Sequence, residues 1–363
     1  IGLLEPRFDA GPVTFRVEAC GGSSCRCLHE ETLDAADAAH PGWQERVLRI
    51  DPLEGSGDAG APETRLRFVT RPAARGGAGE SLVLGAWTRP RLLVEGGDAP
   101  PGRHDLILVS LDSLRADHLG AYGYARDTSP FMSGELAARS TLFEQATSPA
   151  TATGPSHMTL FTGLPPAVHG VTSNLAIPSL PEDVATLAAV LRDRGYVTGA
   201  VDENGALSRR MGFGRGFVEH RQFFAGNIMK PTGFVAEVFD EGLAFLERHP
   251  GQRFFLFLHT YEVHSPYAPP ARYRGLFREA DLPRHPDNQR VGPGLRHLYP
   301  VNYDREIRHV DTELERLVRA LEAGGWLDDA ILVVTSDHGE AFGEHGTTGH
   351  GSDVYQELSL IHI

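Results

Sequence analysis

Lysine is all but missing from this 363-residue chain: Lys230 stands alone among 34 basic residues, and the others are arginine. Any active-site task that needs an ammonium group must therefore pass to another side chain. Cysteine is scarce too. Cys20, Cys25 and Cys27 are confined to one Gly/Ser-rich stretch. One disulfide there would leave a thiol over, and the cluster has too few donors for a zinc site. No uninterrupted apolar run reaches the ~20 residues of a membrane helix, so no integral membrane segment is expected. Positive charge is outnumbered, since 48 acidic residues leave a formal charge of -14. That excess argues against nucleic acid or an anionic membrane as a bulk partner. A small anionic substrate is still allowed, because a local metal inverts the field of a site. The chain opens on Ile1 with no signal-like segment and closes on an apolar run, Leu358 to Ile363. The expectation is that both ends are cut, which leaves targeting unread.

What is present falls into two textures. Over the first hundred residues, short alternating segments are separated by Gly/Pro/Asp turns: Val13–Val17, Val47–Ile50, Arg65–Val69 and Ser81–Trp87. This spacing predicts a small all-β domain, a sandwich or jelly roll, over residues 1–100. A Gly-Gly-Asp-Ala-Pro-Pro-Gly run at 96–102 reads as a linker. From 101 to 363 strands alternate with helices. Strands are predicted at Asp105–Leu111, Tyr196–Val201, Phe254–Leu258 and Ile331–Thr335. Helices are predicted around Pro130–Ser140, Thr186–Arg194, Phe234–Arg248 and Tyr303–Ala323. The fold class is therefore α/β, a mostly parallel sheet flanked by helices.

In such a sheet, ligands bind beyond the carboxyl ends of the strands. Three strands end in metal-type or acid–base residues. One runs into Asp112, one into His259 with His264 shortly after, and one into Asp337-His338. Asp112, Asp337 and His338 form an oxygen/nitrogen ligand set, with Gly339 expected to permit a kink between ligands. Carboxylates alone suit calcium or magnesium, whereas an added imidazole shifts the choice toward manganese or zinc. In Thr151–Gly163, Pro155 and Ser156 start a helix and Gly163 stops it. Thr153 is placed just before the first turn, where free N–H groups receive an anionic oxygen.

Several of these stretches resemble the sulfatase family of the alkaline phosphatase superfamily. They are Ile-Leu-Val-Ser-Leu-Asp-Ser-Leu-Arg-Ala-Asp-His-Leu-Gly-Ala-Tyr-Gly-Tyr (107–124), Thr-Gly-Pro-Ser-His (153–157) with Val-His-Gly (168–170), Phe-Phe-Leu-Phe-Leu-His-Thr-Tyr-Glu-Val-His-Ser-Pro-Tyr (254–267), the helix from Tyr303 to Asp311, and Thr-Ser-Asp-His-Gly-Glu-Ala-Phe-Gly-Glu-His-Gly (335–346) with His350. The resemblance runs from about residue 105 onward and excludes the first hundred residues. It implies an ester hydrolase with one divalent metal, in which Asp112 is a ligand. It is compatible with a periplasmic or secreted location.

Four departures qualify what it implies. Family sulfatases mature a cysteine or serine in Cys/Ser-x-Pro-x-Arg to formylglycine; here Thr153 and His157 occupy those ends. Ser113 stands where many members have a second metal-binding aspartate. No lysine lies between 340 and 350, so His345 and His350 are candidate stand-ins. The family's smaller C-terminal part is missing, so the catalytic domain is expected to be incomplete.

A threonine hydroxyl is a weak nucleophile, and coordination to a divalent metal lowers the pKa of bound water from ~16 to about 7. Thr153 is thus expected to be a metal ligand, beside Asp112, Asp337 and His338, as well as the nucleophile. His157, His264 and His350 are assigned to catalysis, and His259 and His345 to substrate. Arg115, Asp117 and His169 are expected to hold loops, and Asp311 to be structural. A threonine ester cannot leave by carbonyl re-formation. This favours phosphate mono- or diesters or phosphonate esters, whereas the resemblance favours sulfate, carried on a carbohydrate or lipid head group. The rival readings are a phospho-group transferase using the same Thr153 ester and an inactive substrate-binding homologue.

Overall fold

Alternation of apolar and polar residues builds the first unit's sheet. Phe15, Val17 and Ala19 are buried along one face, as a period of two requires. Described by the computed structural model are residues 2–3, 13–21, 24–33, 65–72, 85–86, 104–174, 180–203, 205–223, 233–278, 300–351 and 355–358. The chain divides into two compact units, Ile1–Leu92 and Leu93–Ile363. In the first, β1 (Gly2–Leu3) pairs antiparallel with β5 (Gly85–Ala86). β2 (Val13–Gly21) lies between β3 (Ser24–Leu33) and β4 (Arg65–Pro72), antiparallel to both. A disulfide joins Cys20 to Cys25 across the β2–β3 hairpin, and Cys27 is the free, exposed thiol. The second layer of the expected sandwich, the Val47–Ile50 segment, most of Ser81–Trp87 and the 96–102 linker all lie outside the described residues.

The second unit is built on five parallel strands in the order β10-β6-β9-β7-β8. These are β6 (Asp105–Leu111), β7 (Val197–Asp202), β8 (Glu219–Gln222), β9 (Phe254–Thr260) and β10 (Ala330–Thr335). The strands β7 and β9 are buried along their whole length, and β9 accordingly opens on a continuous apolar run, Phe-Phe-Leu-Phe-Leu. Their alternate residues feed two separate cores. Ile107, Val109, Leu256 and Leu258 join one core, and Leu108, Phe255 and Phe257 join the other. The first is covered by α4 (Val235–Arg248) and α5 (Pro300–Ala323). The second is covered by α1 (Thr153–Thr162) and α3 (Leu187–Arg192), while the short α2 (Pro166–His169) follows α1. Close packing of α4 depends on Gly242, where a Cβ would lie 2.7 Å from Leu258 Cδ2. Among the described residues no helix is long and apolar enough to cross a membrane.

Two expected helices differ, one in form and one in its start. The one around 130–140 is a π-helix over Phe131–Leu136, and its first N–H groups, of Phe131 and Met132, donate to Asp311 on α5. Asp311 is thus a structural carboxylate that supplies a cap from another helix. The helix α5 starts at Pro300 rather than Tyr303, a first-turn proline that loses no hydrogen bond.

Asp304, fully buried on α5, anchors the loop after β6. It accepts from His118 Nδ1 (2.6 Å), Arg126 Nη1 (2.6 Å) and Tyr124 Oη (2.7 Å). Removing the carboxylate strands a buried guanidinium and imidazole, which costs ~3–5 kcal/mol. Asp304→Ala is expected to lower the melting temperature by about 6–15 °C in a thermal melt. A drop under about 2 °C would mean that water replaces the carboxylate.

Candidate active site

Three neighbouring strands, β10, β6 and β9, deliver their carboxyl ends side by side. Asp112 follows β6, His259 lies near the end of β9, and Asp337-His338 follows β10 by one residue. All four are buried. Helix α1 brings Thr153 into the same group as its first helical residue; the helix begins two residues before the expected start at Pro155, with Ala152 as its N-cap.

The separations are informative. Thr153 Oγ1 lies 3.3 Å from Asp112 Oδ2 and 3.4 Å from His338 Nε2. His338 Nε2 is 3.4 Å from Asp337 Oδ2 and 4.0 Å from Asp112 Oδ1. His259 Nε2 lies 3.2 Å from Asp112 Oδ2. These are long for hydrogen bonds between charged groups. Ligands held about 2.1 Å from a tetrahedral ion lie about 3.4 Å from one another, which is the spacing seen.

Each donor is also held in a ligating state. His338 Nδ1 donates to the Gly339 carbonyl (2.9 Å), so Nε2 keeps its lone pair toward the carboxylates. Burial pushes the His338 imidazole down to about 4, so it is neutral. Asp337 Oδ1 accepts the N–H groups of Ser113 (3.1 Å) and His338 (2.9 Å). Its Oδ2 is buried without a hydrogen-bond partner among the described residues. Burial, with the Asp112 charge beside it, raises the Asp337 carboxyl to about 6. Burial would raise Asp112 as well, but the His259 hydrogen bond and the nearby His264 and His338 hold it well below the usual range. An orphaned carboxylate oxygen and an outward imidazole lone pair, both dry, fit a divalent cation. Asp112, Asp337 and His338 place one donor each within 4.8 Å of one another.

The other predicted residues divide. His264 and His350 come together, with ring centroids 4.9 Å apart, and the His350 ring is 4.4 Å from that of His338. Glu340 orients His350 through Nδ1 (2.9 Å). Burial opposes the charge on that ring, but the Glu340 pair outweighs it and raises the imidazole to about 9. His157 is brought in with both ring nitrogens engaged. Its Nδ1 donates to the Thr153 carbonyl and its Nε2 accepts from Ser110 Oγ, both at 2.9 Å. Burial lowers it to about 4, so both nitrogens are committed on a neutral ring. His259, assigned to substrate from the sequence, sits at the ligand cluster. His345 is left outside, half-exposed and stacked on Tyr355 at 3.9 Å, because a left-handed turn (φ 56°) directs it away.

The expected kink at Gly339 has a different cause. Its φ is not positive; a Cβ there would sit 1.9 Å from the Glu357 carbonyl oxygen, so close backbone approach demands the glycine. Ser113 takes the left-handed conformation instead (φ 58°) and bonds Asp112 through Oγ (2.7 Å). It links the carboxylates of Asp112 and Asp337, through Oγ to the first and its N–H to the second. Arg115 holds the same loop to Asp117, Glu344 and the Glu340 carbonyl. His169 bonds Thr159 and the Val171 N–H, tying α1 to the turn after α2.

Sequence reasoning missed Glu340, which orients His350.

A family model described as Sulfatase matches residues 104–359. The chain is similar to an arylsulfatase from Clostridium perfringens, at 28% identity over 137 residues, 32% of this chain and 28% of the relative. It is also similar to a delta 4,5-hexuronate-2-O-sulfatase from Bacteroides thetaiotaomicron, at 23% identity over 301 residues, 71% of this chain and 60% of the relative. The crystal structure of the phosphonate monoester hydrolase of Agrobacterium radiobacter shares its fold, with a TM-score of 0.59 and 20% identity over 72% of this chain and 67% of that one. The matches span less than two thirds of either curated relative's length.

Proposed function

The chain belongs to the sulfatase family of hydrolases, and from that premise we propose that it is a metal-dependent esterase whose nucleophile is Thr153 and whose substrates are phosphate or phosphonate esters. One observation carries the reading. Thr153 Oγ1 stands 3.3–3.4 Å from Asp112 and His338, at the place where the family matures a cysteine or serine that this chain lacks.

Asp112, Thr153, Asp337 and His338 would hold the ion, with His259 close to Asp112. When bound, the ion supplies positive charge that acidifies the Thr153 hydroxyl and polarises a substrate oxygen. The donor set, two carboxylates with an imidazole, favours manganese or zinc over calcium. Thr153 Oγ1 attacks phosphorus while the bond to the leaving oxygen breaks, and its proton departs toward Asp112 Oδ2, which it already faces. His350, kept protonated by Glu340, gives a proton to the leaving oxygen through Nε2. In the second half it takes one from the water that attacks phosphorus, and the released Thr153 oxygen regains its proton from Asp112 Oδ2. His264, beside His350, contributes a second imidazole edge to the non-bridging oxygens.

Threonine decides the substrate element. A covalent threonine ester has no carbonyl to re-form, so its release requires attack on the central atom, which is well attested at phosphorus. The phosphonate monoester hydrolase that shares the fold is in keeping with this, and the hexuronate sulfatase supports a carbohydrate as the carrier. Residues 1–100 are read as an accessory β-sandwich domain.

The test is a side-by-side assay of 4-nitrophenyl phosphate, bis(4-nitrophenyl) phosphate, 4-nitrophenyl phenylphosphonate and 4-nitrophenyl sulfate with manganese, zinc or calcium. A phosphorus ester is expected to exceed sulfate in kcat/KM by about 100-fold or more. Sulfate in the lead would overturn the substrate assignment. Glycerol included in the same assay separates hydrolysis from group transfer, because a transferase diverts product to the alcohol.

A further inference from the structure

His350 reaches the site through a short hairpin. β11 (Ala341–Phe342) pairs antiparallel with β12 (Thr348–Gly349), with Ala341 opposite Gly349. Glu340 and His350 directly flank that pair, so the backbone sets them opposite one another. Glu340 Oε1 takes the His350 Nδ1–H at 2.9 Å. The other carboxylate oxygen, Oε2, accepts from Tyr267 Oη at 2.7 Å. Tyr267 comes from a different segment, the loop after β9 that also carries His264. Tyr267 and Glu340 are both buried. The phenol ring meets Tyr303 edge-on at 5.4 Å and Phe342 at 6.1 Å, which fixes where its hydroxyl points. Burial, and the Glu340 charge beside it, push the phenol well above its ordinary value, so it stays a donor.

We propose that Tyr267 is a positioning residue for departure of the leaving group: by pinning the second oxygen of Glu340 it fixes the direction in which His350 Nε2 presents its proton. This rests on the reading of His350 as the proton donor. A carboxylate bonded at one oxygen turns easily about its last carbon–carbon bond, and the imidazole it holds swings with it. A second bond, made to the other oxygen from a separate segment, removes that freedom. Donors at 2.7 and 2.9 Å on the two oxygens define the carboxylate plane, and that plane defines the line through Nδ1. The ring so held stands 4.4 Å from that of His338 and 4.9 Å from that of His264. As the bond from phosphorus to the leaving oxygen breaks, its electron pair stays on that oxygen, which takes the Nε2 proton. Nδ1 keeps its hydrogen on Glu340, and Tyr267 keeps its own. Proton transfer from a positioned side chain contributes about 10²–10⁴-fold, and misplacing a reacting group by about 1 Å forfeits about 10²-fold.

Tyr267→Phe keeps the ring and its packing and removes only the hydroxyl. The full chain, loaded with manganese or zinc, is assayed with 4-nitrophenyl phosphate and phenyl phosphate, or with the two corresponding sulfates if those are what it turns over. 4-Nitrophenolate leaves without a proton, whereas phenolate, a much stronger base, needs one. In Tyr267→Phe, kcat/KM is expected to fall about 10–100-fold for the phenyl ester and less than about threefold for the 4-nitrophenyl ester. Equal falls with both esters, or no fall with either, would overturn the proposal, since a merely structural tyrosine does not distinguish leaving groups. In a His350→Ala background, Tyr267→Phe should cost nothing further; a full repeat of its loss there means that it does not act through His350, and the proposal fails. Glu340→Gln covers the case of a phenylalanine variant that does not fold. Its single acceptor oxygen cannot hold both donors, so the same selective loss is expected, and an unchanged ratio of the two esters sinks the inference. His350→Ala alone separates this from the underlying reading. If it leaves that ratio unchanged, His350 is not the donor and both readings fall; if it widens the ratio while Tyr267→Phe does not, only the present inference falls.

Discussion

Thr153→Ala is expected to lower turnover of every ester substrate by about 10⁴-fold or more, the scale on which enzymes lose rate when a covalent nucleophile is deleted. The residue itself is small and lies at the start of α1, so the substitution removes one hydroxyl and one methyl group without touching the helix ladder. Gly154 N–H stays bonded to Asn174, and the Thr153 carbonyl still receives His157 Nδ1, since both contacts use backbone atoms at this end of the helix. Three ligands remain: Asp112, Asp337 and His338. Metal binding should therefore weaken without vanishing, and calorimetric titration with manganese or zinc should still report one site. Thr153→Ser restores the hydroxyl and should restore most of the rate. Full activity in Thr153→Ala would remove the nucleophile assignment, and Thr153 would be left as an ordinary first-turn residue.

How much of this was legible beforehand depended on whether local sequence or long-range packing decides each feature. Strands β6, β9 and β10 were readable because strands of a parallel sheet must be apolar along most of their length. The first polar residue after such a run marks the rim, which located Asp112, His259 and Asp337-His338 without any side-chain geometry. Roles were less readable. His157 is assigned to catalysis from sequence; Ser110 on β6 and the Thr153 carbonyl bond both its nitrogens, and nothing in residues 153–157 reveals the distant Ser110. His345 and His350 are five residues apart and equally suited to replace a lysine. Tertiary partners separate them: Glu340 draws His350 inward, while Tyr355 and Glu357 hold His345 at the surface. Gly339 shows the same limit, because the sequence displays a glycine but not the Glu357 carbonyl that requires it.

Chelation carries the second large effect and tests the ion without reference to substrate. Asp112 and Asp337 are both buried, and among the described residues no guanidinium or ammonium bonds either and Asp337 Oδ2 has no donor. Two acids in a dry pocket repel one another, and a divalent cation between them converts that penalty into attraction. An ion present at 100 times its dissociation constant stabilises the folded chain by about 2.7 kcal/mol. EDTA is therefore expected to abolish activity and to lower the melting temperature by about 5–10 °C, with manganese or zinc restoring both. Asp337→Asn is the control. An amide oxygen still accepts the N–H groups of Ser113 and His338, so the metal-free fold should hold, but the ligating charge is gone. In that variant the melting temperature should no longer respond to metal. A thermal response equal to that of the unaltered chain would place the ion elsewhere and dissolve the link between Thr153 and its activation. A melting temperature and rate indifferent to EDTA in the unaltered chain would show that the cluster works without a metal. Asp337, raised to about 6 by burial and by Asp112, would then be a shared-proton partner of Asp112 instead of a ligand.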